Sequence, residues 1–219
     1  VAQLVEEGYS VLDVGCGEGD FCDYVENASG KFVGLELNSK AVRVGMQKGR
    51  EISTKSISKI VEEKGHFDIV TSFQVCEHVK DINTFIELKI SALKKNGILV
   101  IAVPSENSFI SKSVNAILNY PPHHMSRWSD LTLKNLPKIF NLDLIDIYHE
   151  PVAANHLKWF WRVKMENYFL KFRHLDNSFL RRIVSTLSRI MVNVLFVPLF
   201  KGRPTNSNGH TVIAYYRKR

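Results

Sequence analysis

The sequence predicts an α/β protein built on a doubly wound, mostly parallel sheet with helices on both faces. Three observations predict it. Short β-branched runs alternate with helix-compatible stretches from residue 10 onward. The first run ends in "DVGCGEGDF" (13 to 21), a glycine-rich passage of the kind that turns a buried strand sharply into a helix. The chain's 219 residues, 45% apolar and 23% charged, suit one domain with a substantial core and make disorder a poor description.

Strands are expected at "SVLDVG" (10 to 15), "KFVGLEL" (31 to 37), "REIST" (50 to 54, the weakest), "FDIVTSF" (67 to 73) and "GILVIAVP" (97 to 104). Between them lie helix-compatible stretches at 19 to 28, 39 to 48 with Ser39 as N-cap, 57 to 64, and 81 to 95, the last ending at Asn96-Gly97. "LDLIDIYHE" (142 to 150) and "GHTVIAYYRKR" (209 to 219) alternate apolar with polar residues and read as late strands. Between these two, Leu157, Phe160, Trp161, Met165 and Tyr168 recur at spacings of three and four, as do Leu180, Ile183, Leu187, Ile190 and Val194. Two amphipathic helices follow. The expected organisation is a core at 1 to 154, a helical insertion at 155 to 208, and a final core strand at 209 to 219. The insertion has three readings: a lid over the substrate, a dimer contact, or a surface lying against membrane or lipid through 157 to 200.

Charge is unevenly placed. From Asn155 onward there are 13 Lys and Arg against two acids, a net +11, whereas the preceding residues carry 16 against 20, a net −4. A basic block of this size attracts phosphate or anionic lipid, or is simply the solvated face of ordinary helices. Three cysteines at irregular spacing (Cys16, Cys22, Cys76) give neither a disulfide framework nor paired metal motifs, which fits a reducing cytoplasm, with a peripheral membrane location left open. "VAQLVEEG" lacks the basic-then-apolar order of a signal peptide, and "MVNVLFVPLF" is about half the roughly 20 residues needed to span a bilayer. The chain starts about eight residues ahead of the first strand, so a preceding lid is expected to lie outside this sequence.

The glycines carry chemistry as well as geometry. Dinucleotide-binding turns space them G-x-G-x-x-G and face a pyrophosphate. Here Gly15, Gly17 and Gly19 stand at alternate positions, Asp20 replaces the third dinucleotide glycine, and Asp13 and Glu18 flank the turn. Carboxylates repel phosphate. They suit a cation, and a sulfonium with an amino-acid tail is one.

"VLDVGCGEGDF" resembles motif I of the class I methyltransferases that use S-adenosylmethionine, and the likeness continues in order through "VGLELN", "FDIVTSFQVCEHV" and "NGILVIAVP", over roughly residues 9 to 150. The resemblance is to the small-molecule and quinone O-methyltransferase group. It implies a Rossmann-like seven-stranded sheet whose last strand is antiparallel, and S-adenosylmethionine as cofactor. It also implies that Asp13, Gly15, Cys16, Gly17 and Gly19 surround the methionine part, that Glu36 receives the ribose hydroxyls, that Leu37 and Asn38 lie beside adenine, and that Phe73 and Gln74 complete the cofactor site. "FQVCEHV" resembles the E-x-x-E-H stretch of quinone-type O-methyltransferases, where acids and a histidine accompany a divalent metal. Glu77 and His78 match, but Gln74 replaces the first acid, so no metal is expected. "PPHHMSRWS" (121 to 129) resembles a substrate-side stretch of small-molecule and glycan methyltransferases. His78, His124 and His123 are the expected catalytic residues, with His124 favoured as proton acceptor because imidazole titrates near working pH.

The acceptor implied is a small molecule bearing a lipid-like, quinone-like or saccharide hydroxyl. Two other readings stay open: a cofactor-binding scaffold without catalysis, and an RNA methyltransferase using the basic C-terminal region. The second would show steeply salt-dependent RNA binding. Nucleic acid is disfavoured, because no RNA-binding module is recognisable.

Overall fold

The computed structural model describes residues 2–113, 119–170 and 207–219, with isolated helical positions between 182 and 194. Seven strands make one sheet: β1 (Ser10–Val14), β2 (Lys31–Leu35), β3 (Ile52–Ser53), β4 (Phe67–Phe73), β5 (Leu93–Pro104), β6 (Leu142–Pro151) and β7 (Asn208–Lys218). Their order is β3-β2-β1-β4-β5-β7-β6. Pairing is parallel from β3 through β5, and β7 runs antiparallel to both β5 and β6. The expected doubly wound, mostly parallel architecture with an antiparallel last strand is therefore the one found.

Alternation along the strands explains why both faces are covered. Leu12, Val70, Leu99, Ile101 and Ala214 enter one core cluster, while their neighbours Val11, Ile69, Val100, Ala102 and Ile213 enter the cluster on the opposite face. Each fully buried aliphatic side chain contributes about 1.5–3 kcal/mol. The helices that close these faces include α1 (Phe21–Asn27), α2 (Ser39–Gln47), α3 (Ile57–Lys64), α4 (Ile82–Ser91) and α5 (Asp130–Ile139). Chain order reverses between β1 and β4, and such a switch point opens a crevice at the carboxyl ends of the strands. The glycine turn and the segment after β4 both sit there.

Three local expectations change. Asn38, not Ser39, caps α2, because its side chain accepts from the backbone N–H groups of Lys40 and Ala41 at 3.0 and 3.5 Å. The helix expected to reach residue 95 ends at Ser91, since Leu93 pairs with Phe67 and starts β5. Asn96 then takes a left-handed φ of +62° inside that strand. Cross-strand pairing has overridden local helix propensity. Helix α5 was not expected, and its internal Pro137 explains why; Ser129 caps it by accepting from Thr132 N at 3.1 Å.

Beyond β6, α6 (Leu157–Leu170) occupies the first predicted amphipathic helix. Its Leu157, Phe160 and Val163 cluster with Phe109, Ile110 and Val152. The second predicted helix, and the dimer or lipid contacts assigned to 157 to 200, fall largely outside the described residues. Among the described residues no helix is long and apolar enough to cross a membrane.

Candidate cofactor and acceptor site

Gly15, Gly17 and Gly19 have φ of +81°, +57° and +84°, in the region that only glycine enters without strain. A Cβ at Gly15 would lie 2.4 Å from Val75 Cγ2, whereas one at Gly17 would meet nothing within 4 Å. The turn is thus pressed against the protein behind and open in front. Gly15 and Cys16 N–H groups donate to Leu35 O at 2.7 and 3.1 Å, which ties the turn to the end of β2.

Glu36 follows immediately. Its carboxylate accepts from Gly17 N at 3.0 Å through Oε2 and from Asn38 N at 2.8 Å through Oε1. A carboxylate offers about four acceptor sites, so both oxygens retain capacity for a ligand's hydroxyls. Beside it Leu37 is 91% exposed, an apolar side chain available to cover a planar ring. Asp13 lies buried under the turn and accepts from the Thr71 hydroxyl at 2.7 Å. Burial pushes its carboxyl up to about 6. Burial likewise pushes the Cys16 thiol up to about 12, so the turn presents a neutral thiol. Phe73 packs edge-on to Phe21 at 5.0 Å, and Gln74, at φ +56°, donates through Nε2 to Thr211 Oγ1 at 3.3 Å.

Two nearby cations are occupied by acids of the turn and α1. Lys48 pairs with Glu18, and Arg50 binds Asp20, Asp23 and the Glu18 carbonyl. What faces the opening is bare backbone, one free-edged carboxylate and an apolar cover. That set fits a cationic nucleoside with a vicinal diol, and its carboxylate would repel a pyrophosphate.

The second half of the site is an acid–histidine cluster. One ligand atom from each of Glu77, His78 and His124 lies within 4.8 Å of the others. The 3-10 turn Cys76–His78 carries the first two, and the loop before α5 brings the third. Glu77 O accepts from Met125 N and Ser126 N at 2.6 and 3.2 Å, which fastens loop to turn. His78 Nδ1 is 2.7 Å from His123 O; a carbonyl only accepts, so Nδ1 carries a proton and Nε2 is the nitrogen left to face the cluster. That Nε2 is 3.8 Å from Glu77 Oε1, and the His78 and His124 rings meet edge to face at 4.9 Å. Burial, reinforced by His78 and His123, lowers the His124 pKa, and burial raises that of Glu77. Glu77 Oε2 is buried without a hydrogen-bond partner.

The structure therefore gathers Asp13, the three glycines, Cys16, Glu36, Leu37 and Asn38 at one end of the crevice, and His78 with His124 at the other. The His123 ring is exposed, and its carbonyl does the holding. Trp128 turns into the core and donates to Ser126 Oγ at 3.0 Å, while Arg127 makes a two-point ion pair with Glu106.

Sequence reasoning placed a substrate-side loop after the fifth strand but singled out no residue of the wall beside this cluster. Glu106 and Ser111 line both a narrow pocket at Glu77 and His124 and an adjoining cavity of about 940 Å³. Phe109, Phe160 and Val163 also line this cavity, between the 3-10 segment Phe109–Lys112 and α6. The amphipathic spacing of α6 signalled Phe160; Glu106 gave no signal, since a lone acid in a loop carries none.

A family model described as "Methyltransferase domain" matches residues 1–147, more than half of the chain. A ubiquinone biosynthesis O-methyltransferase of Pelagibacter ubique is 28% identical over 178 residues, covering 74% of this chain and 73% of that protein. One of the same name from Bradyrhizobium diazoefficiens is 28% identical over 131 residues, 56% of this chain; the match spans only 52% of that relative's own length. A solved SAM-dependent methyltransferase of Archaeoglobus fulgidus shares the fold, with a TM-score of 0.62 at 16% identity over 99% of this chain and 89% of that one. Glycine turn, acid after β2 and matched family model agree: the chain belongs to the class I methyltransferase domain family, with S-adenosylmethionine as its cofactor.

Proposed function

We propose that this protein methylates a hydroxyl on a small acceptor with an apolar, quinone-like or lipid-like body. The observation that carries the reading is the Glu77–His78–His124 cluster, of which Glu77 and His124 line a narrow pocket that shares Glu106 and Ser111 with the cavity beside α6. The names of the curated relatives support the hydroxyl and the quinone-like acceptor. A saccharide is the alternative acceptor, because Asn107, Ser108, Ser111 and Asn167 line the same cavity as Phe109, Phe160 and Val163 and can bond its hydroxyls.

When bound, S-adenosylmethionine supplies an electrophilic methyl group on a sulfonium. The protein's part is placement, exclusion of water and removal of a proton. Gly15 to Gly19 and Glu36 hold one reactant. The cavity wall holds the other. His124, with its lowered pKa, is neutral at pH 7 and accepts the acceptor's proton. His78, its Nδ1–H committed to His123 O, presents Nε2 toward the same space and orients the hydroxyl.

His124→Gln is expected to lower kcat with a 4-hexylcatechol probe by about 100-fold or more, the usual size of a general-base effect, with S-adenosylhomocysteine affinity within a few-fold of wild type. The pH profile has a definite sign. Activity should be flat above neutrality and fall as pH drops through a value below the ordinary histidine pKa of about 6.5. Chelators should leave the rate unchanged. A wild-type pH profile in His124→Gln, or abolition of activity by chelation alone, would remove this assignment.

A further inference from the structure

Lys89 is an unusual residue for a helix core. It occupies the apolar stripe of α4 with Ile82, Phe85 and Ile86, and is fully buried. Its Nζ sits 4.6 Å from the Phe85 ring centroid and makes no ion pair with an acid among the described residues. Its only polar contacts there are Ser72 Oγ at 2.7 Å and Cys76 Sγ at 3.5 Å. Burying an amine is costly, and an apolar side chain of similar volume is often neutral or better for stability. Folding alone therefore does not account for it.

The two contacts do. Ser72 lies at the end of β4 and Cys76 opens the 3-10 turn, so one side chain bridges both ends of the segment that turns through Gln74 and delivers Glu77 and His78. From the other side, Ser126 Oγ donates to Cys76 O at 3.3 Å and accepts from Trp128 Nε1 at 3.0 Å. The turn is clamped between α4 and the loop before α5.

We propose that Lys89 is a positioning residue: by tying Ser72 to Cys76 from beneath the sheet, it fixes the turn that aims Glu77 and His78 at the acceptor. The assignment rests on the acceptor reading above only for its catalytic consequence. The geometric consequence stands by itself. Neither composition nor motif marks Lys89, although a lysine three residues after Ile86 on an apolar stripe is a legible anomaly.

The test is Lys89→Met in the full chain, with Ser72→Ala as a second variant that removes one anchor. Lys89→Met should melt at or above the wild-type temperature and bind S-adenosylhomocysteine within 3-fold of wild type. Its kcat with 4-hexylcatechol should fall at least 10-fold with the methyl-donor KM unchanged. In ¹⁵N-histidine spectra, His78 should lose the Nδ1–H tautomer signature that the His123 carbonyl imposes. Ser72→Ala should move kcat and spectrum in the same direction by a smaller amount. A wild-type His78 spectrum in either folded variant overturns the proposal. If wild-type protein gives no product from the catechol, the hydroxyl reading fails, and the His78 spectrum alone still decides the role of Lys89.

Discussion

Glu36→Ala is expected to weaken S-adenosylhomocysteine binding about 100-fold, measured by calorimetry, in a protein that still folds. The carboxylate already accepts from Gly17 N and Asn38 N, which holds it across the mouth of the turn with acceptor capacity to spare. Hydrogen bonds to a charged group contribute about 1.5–3 kcal/mol each. Losing two ribose contacts, offset in part by water, leaves a deficit of about 3 kcal/mol, or two decades in Kd. Asn38 N is exposed and Gly17 N only part-buried, so water satisfies both donors and the fold survives. Glu36→Gln should fall between the two proteins, keeping one acceptor oxygen without the charge. A loss smaller than about 5-fold in Glu36→Ala would mean that the ribose lies elsewhere.

Asp13→Asn is expected to do something less usual: raise stability at neutral and alkaline pH while weakening cofactor binding. Asp13 is 2% exposed, and burial lifts its carboxyl from 3.8 to about 6. An acid whose folded pKa is raised contributes stability that is complete below its unfolded pKa and is lost as pH climbs through the folded one. Ionised Asp13 therefore costs the empty protein up to about 3 kcal/mol above pH 6, at about 1.4 kcal/mol per pKa unit. Asparagine removes that cost and keeps an oxygen for the Thr71 hydroxyl. Chemical denaturation should show Asp13→Asn more stable than wild type by about 1–3 kcal/mol at pH 8, with the gain gone by pH 4. Equal stability differences at both pH values would contradict the assignment. The compensating loss is functional, because the carboxylate lies directly beneath a turn built to hold a cation.

How much of this was legible beforehand depended on whether the cause was local. Gly15, Gly17 and Gly19 could be read from the sequence because positive φ is a property of the residue itself. Glu36 was marked by the resemblance of "VGLELN" to the family's second motif, and position alone would not have singled it out. Four of the strands were likewise visible as short β-branched runs, the last two as apolar–polar alternation, and only β3 was faint. Where tertiary pairing decided, the sequence misled: residues 93 to 96 look helical yet join β5 through Leu93 against Phe67, and Pro137 concealed α5. The site shows the same division. His78 and His124, 46 positions apart, meet because tertiary hydrogen bonds fasten the loop to the turn: Met125 and Ser126 N–H to Glu77 O, and His78 Nδ1–H to His123 O. Trp128, although it lies in the stretch that resembles a substrate-side loop, is a core side chain. Glu106 and Lys89 acquire their roles entirely from what folds against them.

Titration of the wild-type protein with S-adenosylhomocysteine in a calorimeter, with a nicotinamide dinucleotide run in parallel, tests the central claim most directly. Saturable one-to-one heat with the sulfur nucleoside and none with the dinucleotide is the predicted result. Tight dinucleotide binding, with no heat from the nucleoside, would contradict a turn whose bare backbone and Glu36 carboxylate are shaped for positive charge.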